Sequence, residues 1–547
     1  MIDRAQASTR LARSSAISNP ALRRSLGAAF ALSLSVSLGC GADDGPAPTL
    51  PIFPGTTEMP GGTMTPSDTL TPDGTELPAP DQNPEVIGGD VGLDTPEPPV
   101  GGTDQPPANP PTEVAPVEEP PVEEPPVEEP PSDEPPIVAP PVQEPVLCTP
   151  LANTGSPSDG DINVNLATEF QTISGFGGMN MPRWIGDLTA EQAETAFGVG
   201  DGKLGLTLLR IGISSDPDDF AVELPTARQA AARNVRILAT PWSPPANLKT
   251  NNSLVAGELA RANYGAYADH LMGFVNFMAE NQVPIEAISI QNEPDIQVDY
   301  DSCDWTSQQL IDFLIEQGPR FGDVRLMAPE SFNFNRQRTD PLLNNAQAAA
   351  QFDIVAGHVY GAGLADYPLA RQRGKEVWMT EHYTDSGPEP DRANQWPLAL
   401  NVATELHQSM QANFNAYVWW YIRRGYGLMT EDSQVSKRGF LMSQYSRFIR
   451  PGFVRVGASN PAVAGVQVTA YKNGPGQVIV VALNTTNQPQ NVNLDVFGSC
   501  VTRFDRFTTS VNENVQNDGA VALQGGRTAV TLDAQSLTTF ASQPITP

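Results

Sequence analysis

Two glutamates close apolar runs in this 547-residue chain, Glu293 in AISIQNEPD and Glu381 in VWMTEHY. Two carboxyls that flank one bond can cleave a glycoside. One holds a proton for the leaving oxygen; the other attacks the sugar or activates water. If the apolar runs are strands of a parallel barrel, their C-terminal ends are where such a pair belongs, because the loops that follow the strands build the site. A single strand-terminal acid is usually a salt-bridged or solvated group. Asn-Glu-Pro at one strand end and a second Glu three strands later is a far more specific pattern. Asn292, beside Glu293, can donate from its amide to a sugar hydroxyl. Retention or inversion depends on the carboxyl separation, which spacing in sequence does not set.

Other chemistries find less support. The four histidines, His270, His358, His382 and His407, are scattered and form no metal set. The GFGG at 175–178 lacks both the phosphate-loop lysine and the dinucleotide spacing. No metal and no cofactor are expected. The net charge of −31 speaks against a nucleic-acid partner.

The elements that must position the glutamates follow from hydrophobic periodicity. Strands are predicted at 171–178, 206–213, 235–242, 285–293, 324–330, 352–360, 376–383 and 416–424. Between them lie helical patterns: one from Thr189, where Thr189 and Gln192 suit a capping box, one over 264–279 with Tyr267, Leu271, Phe274, Val275 and Met278 on one face, and one over 307–316. Eight strands alternating with helices predict an α/β fold, a (β/α)8 TIM barrel at 174–450. After Pro451-Gly452 the helices stop. Short strands at 466–471, 478–483, 492–496, 501–508 and 529–532, with turn signals at Asn473-Gly474 and Asn517-Asp518-Gly519, predict a side β-sandwich at 451–545. Residues 160–173 are expected to add strands to it and tie the two domains at both ends of the barrel.

The N-terminus reads as an export leader. Arg10, Arg13, Arg23 and Arg24 precede an apolar stretch at 26–38 that stops at Gly39-Cys40, as in a lipoprotein signal with Cys40 lipidated. Residues 41–150 are a disordered, acidic, Pro/Glu-rich linker with repeated PVEEP. About 22 acids and no Lys or Arg lie there. The expectation is an exported monomer, held at the cell surface or outer membrane as a lipoprotein or else secreted, touching the membrane only through that anchor. Cys148 and Cys500 could pair in an oxidising compartment; Cys303 is expected to be a buried thiol.

The segments SGFGGMNMPRWI, ATPWSPPANLK, ISIQNEPD, WMTEHY, YVWWYIRRGYG and SKRGFLMSQYSRFIRPG, in this order and spacing, resemble glycoside hydrolase family 30, in particular the bacterial glucuronoxylanases of subfamily 8. The resemblance runs from about Ile162 to the end and omits the linker. It implies a retaining endo-β-1,4-xylanase acting on glucuronoxylan, with Glu293 as acid/base and Glu381 as nucleophile. It also implies that Arg424, Tyr421, Tyr426, Tyr383, Ser386 and Trp420 hold the glucuronate branch, Arg424 clamping its carboxylate. A guanidinium suits that task through charge-assisted pairing. Arg423 is expected to pair with a neighbouring acid instead. Trp184 and Trp242 resemble cleft residues, with plain core packing as the alternative. Arg210, ending the second strand, and His358 and Tyr360, ending the sixth, are expected to hydrogen-bond the nucleophile. Two other readings stand beside this one: another family 30 β-glycosidase or branch-independent xylanase, and a non-catalytic xylan-binding surface protein, which would have no need of both carboxyls.

Overall fold

The computed structural model describes residues 162–384, 392–461 and 463–542. Cys40, Cys148, Ser386, the leader and the linker lie outside the described residues.

The first described strand, β1 (Ile162–Thr172), precedes the barrel. The barrel closes in chain order from β2 (Gly175–Met179), β3 (Leu208–Ile213), β4 (Arg236–Pro241), β5 (Ala287–Ser289), β6 (Arg325–Ser331), β7 (Ile354–His358), β8 (Glu376–Glu381) and β9 (Ala416–Tyr421). All neighbours are parallel, and β9 returns to β2 with Val418 opposite Gly177. GFGG finds its use here. A Cβ at Gly177 would sit 2.5 Å from the Leu208 carbonyl oxygen, and one at Gly178 would sit 2.6 Å from Ile422. These glycines permit close strand approach, not phosphate binding.

The two-residue period of a strand sends alternate side chains to opposite faces. Leu209, Ile211, Ile237, Ala239, Val355, Tyr417 and Trp419 point outward into the main core with helix residues such as Leu271 and Phe274. Leu208, Leu238, Ala287, Met327, Ile354, Ala356, Trp378, Ala416 and Val418 form a separate cluster, the apolar filling of the barrel. The helix Ala190–Phe197 begins with the expected Thr189–Gln192 capping box, and Tyr264–Glu280 buries the predicted face.

Two boundaries differ from expectation in ways that matter. The fourth barrel strand is only three residues long. Asn292 N bonds the Pro241 carbonyl (2.9 Å) and Glu293 N bonds the Glu330 carbonyl (3.0 Å), so Glu293 lies in the turn beyond the strand, with φ 44°. Arg210 does not end its strand. It is the third of six residues in β3, two beyond Leu208, and so points into the barrel.

The sandwich comprises β1, β10 (Val454–Ala458), β11 (Val466–Lys472), β12 (Val478–Asn484), β13 (Gln490–Phe497), β14 (Arg503–Thr509), β15 (Gln516–Ala522), β16 (Arg527–Leu532) and β17 (Ser536–Ala541), in the order β15-β14-β17-β12-β11-β10-β1-β13-β16. β1 is antiparallel to β10 and parallel to β13, so the segment before the barrel does join the sandwich. β10, β15 and β17 were not expected. Asn517-Asp518-Gly519 is not a turn; it lies in β15, an exposed edge strand with a bulge at Asp518. Polar turn residues are tolerated there because an edge has one unpaired side, and bulges are common on edges.

The helix Lys437–Ser446 joins the two domains. Gln444 Nε2 donates to Thr509 Oγ1 (2.9 Å) and to the Leu537 carbonyl (3.3 Å), and Phe448 packs on Phe507 at 4.7 Å. Cys500 is disulfide-bonded, and Cys303 is a buried free thiol.

Candidate active site

Following the inward period of each strand one step past the apolar cluster leads to polar side chains. Leu208 is succeeded by Arg210, Leu238 by Thr240, Ala287 by Ser289, and Ile354 and Ala356 by His358. On β9, Ala416 and Val418 are succeeded by Trp420. Glu381 is out of this phase, being three residues beyond Trp378. A register shift opposite Gly357–His358 inserts Thr380 as an extra residue and turns Glu381 inward, opposite His358. A second shift between Pro329 and Ser331 accompanies Glu330, whose φ is 60°. Bulges of this kind are a known means of re-aiming a side chain at a site.

The result is a buried charge network. The Arg210 guanidinium donates through Nη1 to Glu381 Oε2 (2.5 Å) and through Nη2 to Asn292 Oδ1 (2.7 Å) and Glu330 Oε1 (3.1 Å). Tyr360 donates its hydroxyl to the other Glu381 oxygen at 2.9 Å. His358 Nδ1 lies 2.7 Å from Glu293 Oε1, and Tyr300 donates to Glu293 Oε2 at 3.4 Å. Thus Arg210 and Tyr360 support Glu381 as expected, but His358 does not. Its Nδ1 serves Glu293, while Nε2 stands 3.7 Å from Glu330 and 3.9 Å from Glu381. His358, at the end of β7, reaches Glu293 because the turn after β5 is bonded to β4 and β6 and brings that carboxyl inward.

The electrostatics follow from this packing. Burial raises the Glu293 carboxyl above its ordinary range, His358 opposes that rise, and the nearby Glu381 adds to it. Burial also disfavours the His358 cation, but Glu381, Glu293 and Glu330 outweigh it and raise the imidazole to about 9. Burial pushes Glu330 up, yet Arg210, with His358 and Ser289, outweighs it and holds the carboxyl at about 2. Glu293, His358 and Glu381 present ligating atoms within 4.8 Å of one another, a triangle that a divalent cation could span. A cation there would have to displace the Arg210–Glu381 ion pair and the His358–Glu293 hydrogen bond, so the arrangement is better suited to handling a proton.

The aromatic residues Trp242, Trp420, Tyr421 and Tyr426 form one cluster, with Trp184 and Tyr383 packed against it. Trp242 and Trp420 are buried and meet at 5.9 Å, with the Arg210 guanidinium 4.8 Å from the Trp242 ring centre; half-buried Trp184 packs edge-on against Trp242 at 5.1 Å. Tyr421 and Tyr426 are buried with Trp242 and Trp420. Toward the barrel mouth Tyr383 stacks on Tyr426 at 4.5 Å, and the Trp420 ring of the same cluster meets Tyr421 at 4.4 Å. The Tyr421 hydroxyl is buried without a hydrogen-bond partner among the described residues. The expected division between the two arginines is not clean. Arg424 Nη1 is 3.4 Å from Glu431 and Arg423 Nε is 3.9 Å from the same carboxylate. Arg423 also donates to the Ile185 carbonyl at 2.8 Å, tying this loop to the turn that carries Trp184. Asn292 commits its carbonyl to Arg210, which leaves its amide nitrogen as the group for a ligand. On the opposite arc of the barrel mouth, Asp295, Phe332, Asn333, Arg336 and Gly363 line a cleft of about 630 Å³.

Sequence reasoning missed Glu330 and Tyr300. Glu330 carried the same signal as Glu381, an acid closing an apolar run; Tyr300 sits in a long loop with no periodicity to mark it.

Both folded regions match family models. Residues 211–375 match the glycosyl hydrolase family 30 TIM-barrel domain and residues 452–540 the family's β-sandwich domain. A glucuronoxylanase, XynC, of Bacillus subtilis is 41% identical over 389 residues, which span 70% of this chain and 91% of that protein. Among solved structures, the family 30 subfamily 8 xylanase Xyn30A of Clostridium acetobutylicum aligns with a TM-score of 0.65 at 37% identity, covering 70% of this chain and 99% of that one. A family 30 endoxylanase from Clostridium papyrosolvens C71 aligns at 0.63 and 32%, with the same coverage. With its barrel, its sandwich and this degree of identity across nearly the whole length of such relatives, the chain belongs to glycoside hydrolase family 30.

Proposed function

We propose that this chain is a retaining endo-β-1,4-xylanase that cleaves glucuronoxylan, with Glu381 as nucleophile and Glu293 as acid/base. The observation that carries the mechanism is the approach of the two carboxyls, each of which offers an oxygen within 4.8 Å of one on the other. Retaining enzymes hold their carboxyls about 5–5.5 Å apart, whereas inverting enzymes leave about 6.5–9.5 Å for a water.

The surroundings of the two acids differ as their roles require. Glu381 accepts from a guanidinium through one oxygen and from a phenol through the other, which hold the carboxyl in place for attack on the anomeric carbon. Glu293 is buried with its carboxyl raised, which suits a proton donor. Attack breaks the glycosidic bond while Glu293 gives its proton to the leaving oxygen. The ester at Glu381 then carries no charge, so Glu293, now ionised, loses the like charge that had raised it and can accept a proton from the incoming water. The Asn292 amide is placed to hold a hydroxyl of the same sugar. The substrate class rests on the Bacillus and Clostridium relatives and on the rim of Tyr383, Tyr421, Tyr426 and Arg424, whose guanidinium and hydroxyls fit a sugar carboxylate; Ser386 belongs to the same expectation. Export through the leader, with anchoring at Cys40, completes the reading for an enzyme whose polymer substrate lies outside the cell. Its check is whether Cys40→Ala releases membrane-associated protein.

The test of the mechanism is the anomer first formed on glucuronoxylan, followed by proton NMR, together with Glu381→Gln. The β-anomer should appear first, and the variant should lose at least about three decades of kcat with an unchanged circular dichroism spectrum. An α-anomer, or substantial turnover by the variant, would overturn the assignment.

A further inference from the structure

A third carboxylate, Glu330, lies beside the Arg210 and His358 that contact Glu381 and Glu293. Glu330 is fully buried and cannot reach substrate, yet it touches the machinery from three sides. Its Oε1 accepts from Arg210 Nη2 at 3.1 Å, its Oε2 accepts from Thr240 Oγ1 at 3.2 Å, and His358 Nε2 stands 3.7 Å away. Its main-chain carbonyl accepts the amide of Glu293 at 3.0 Å. The left-handed backbone at Glu330, φ 60°, is a conformation that a non-glycine residue adopts at a cost and keeps where its surroundings demand it. We infer that Glu330 is a positioning residue, a fixed negative charge that keeps two protons on the Glu293–His358 pair and seats Arg210 between itself and Glu381. The inference rests on the acid/base reading of Glu293.

Charge counting supplies the reason. Unpaired charge in a buried site is costly. Arg210 and a protonated His358 bring two positive charges; Glu330 and Glu381 bring two negative ones. The site is therefore neutral when Glu293 holds its proton, the state needed for attack. In the glycosyl-enzyme the Glu381 charge has become an ester and Glu293 is ionised, so the site is neutral again. Both stations of the reaction balance only because Glu330 stays charged throughout. A protonated His358 has a second consequence. With hydrogens on both nitrogens its Nδ1 can only donate to Glu293, leaving the acidic proton on the other carboxyl oxygen for the substrate. A neutral imidazole could instead accept that proton. The groups facing Glu293 are Arg210 from β3, Tyr300 from its own loop, His358 and Tyr360 from β7 and the turn after it, and Glu381 from β8, with Glu330 of β6 touching it through the main-chain carbonyl.

Glu330→Gln keeps the shape and removes the charge. The active form carries both protons on the pair, so loss of the first proton becomes easier whichever residue gives it up. The basic limb of the kcat/KM–pH profile on xylan should move to lower pH by about one unit or more. Above the shifted limb, the rate should be lower by roughly tenfold for each unit of displacement, carried by kcat more than by KM. Glu330→Asp, which retains the charge, should keep the wild-type limb even if it is slower. A Glu330→Gln profile superimposable on wild type, or lowered uniformly without a shift, would overturn the inference, as would an equal shift in Glu330→Asp. Should neither variant fold, ¹⁵N NMR of the histidines in the wild-type enzyme decides: His358 should be an imidazolium at pH 7, and a neutral ring would overturn the inference. Glu293→Gln separates the two levels of the reading. It should lose most xylan cleavage whatever Glu330 does, and full xylanase activity in that variant would sink the acid/base assignment itself.

Discussion

The two ends of the barrel interior are built from the same strands and hold opposite contents. One layer is Leu208, Leu238, Ala287, Met327, Ile354, Ala356, Trp378, Ala416 and Val418, all fully buried and apolar. One step further along the same strands lie Arg210, Thr240, Ser289 and His358, with Glu330, Glu381 and Glu293 brought in beside them. The first layer gains from burial alone, at roughly 25 cal/mol per Å² of apolar surface. The second gains nothing that way, since each buried charge costs several kcal/mol unless it is paired. The charged layer is therefore kept for chemistry, and every charge in it has a partner of opposite sign. The lower layer supplies the stability and rigidity that let the upper one hold its geometry.

The sharpest way to break this contrast is to remove the common partner. Arg210→Met should destabilise the protein by about 3–5 kcal/mol, the cost of leaving buried charges uncompensated. It should also remove most activity, because Glu381 and Asn292 lose the group that orients them. Chemical denaturation with parallel kinetics checks both; a variant of wild-type stability would mean that the network is not the coupled unit described.

A milder probe changes pH rather than residues. His358 is raised to about 9 from 6.5, so its contribution to stability is complete below about pH 6.5 and lost as pH rises through 9. The raised Glu293 acts in the same direction. Glu330 is lowered to about 2 from 4.5, so its contribution is present above about pH 4.5 and lost as pH falls through 2. The unfolding temperature should therefore fall on both sides of a plateau, and Glu330→Gln should flatten the acid side. A plateau that ran unchanged past pH 9 would show that His358 is not held as a cation.

At the rim the effect should be smaller and selective. Arg424 is only partly buried and already lies near Glu431. Losing a charge-assisted bond of about 1.5–3 kcal/mol would cost Arg424→Ala about one to two decades in kcat/KM on glucuronoxylan. Unbranched xylo-oligosaccharides should be affected little. Equal loss on both substrates would assign Arg424 to folding rather than to branch recognition. The smallest effect belongs to the apolar layer. Ile354→Val should cost about 0.5–1.5 kcal/mol of stability and leave the pH profile of catalysis in place. A shifted profile would mean the two layers are not separable.

Much of this was legible in the residues. Glu293 and Glu381 announced themselves by closing apolar runs, and the eight runs predicted the barrel because parallel strands buried on both faces read as continuous apolar stretches. Thr189 and Gln192 marked their helix start because a capping box is a local hydrogen-bond pattern that sequence spacing encodes directly. Legibility failed where local preference was overruled. Asn517-Asp518-Gly519 has turn chemistry but pairs along an edge, and β17 (Ser536–Ala541) is buried throughout with no alternation to betray it.

The primary structure by itself determined which residues could do chemistry and roughly which strand each would follow, because residue type and period-two patterning are local properties. Which charged groups meet was decided only in three dimensions. Thr380 and the residues around Pro329 break the inward phase of their strands, and it is the register against neighbouring strands that turns Glu381 and Glu330 into the barrel. The pairing of His358 with Glu293, rather than with Glu381, comes from a turn after a three-residue strand that is bonded to strands on either side. Side-chain phase follows from sequence only while the ladder is regular. Once a bulge or a short strand intervenes, contacts with the rest of the fold set where a carboxyl points, and so which proton it holds.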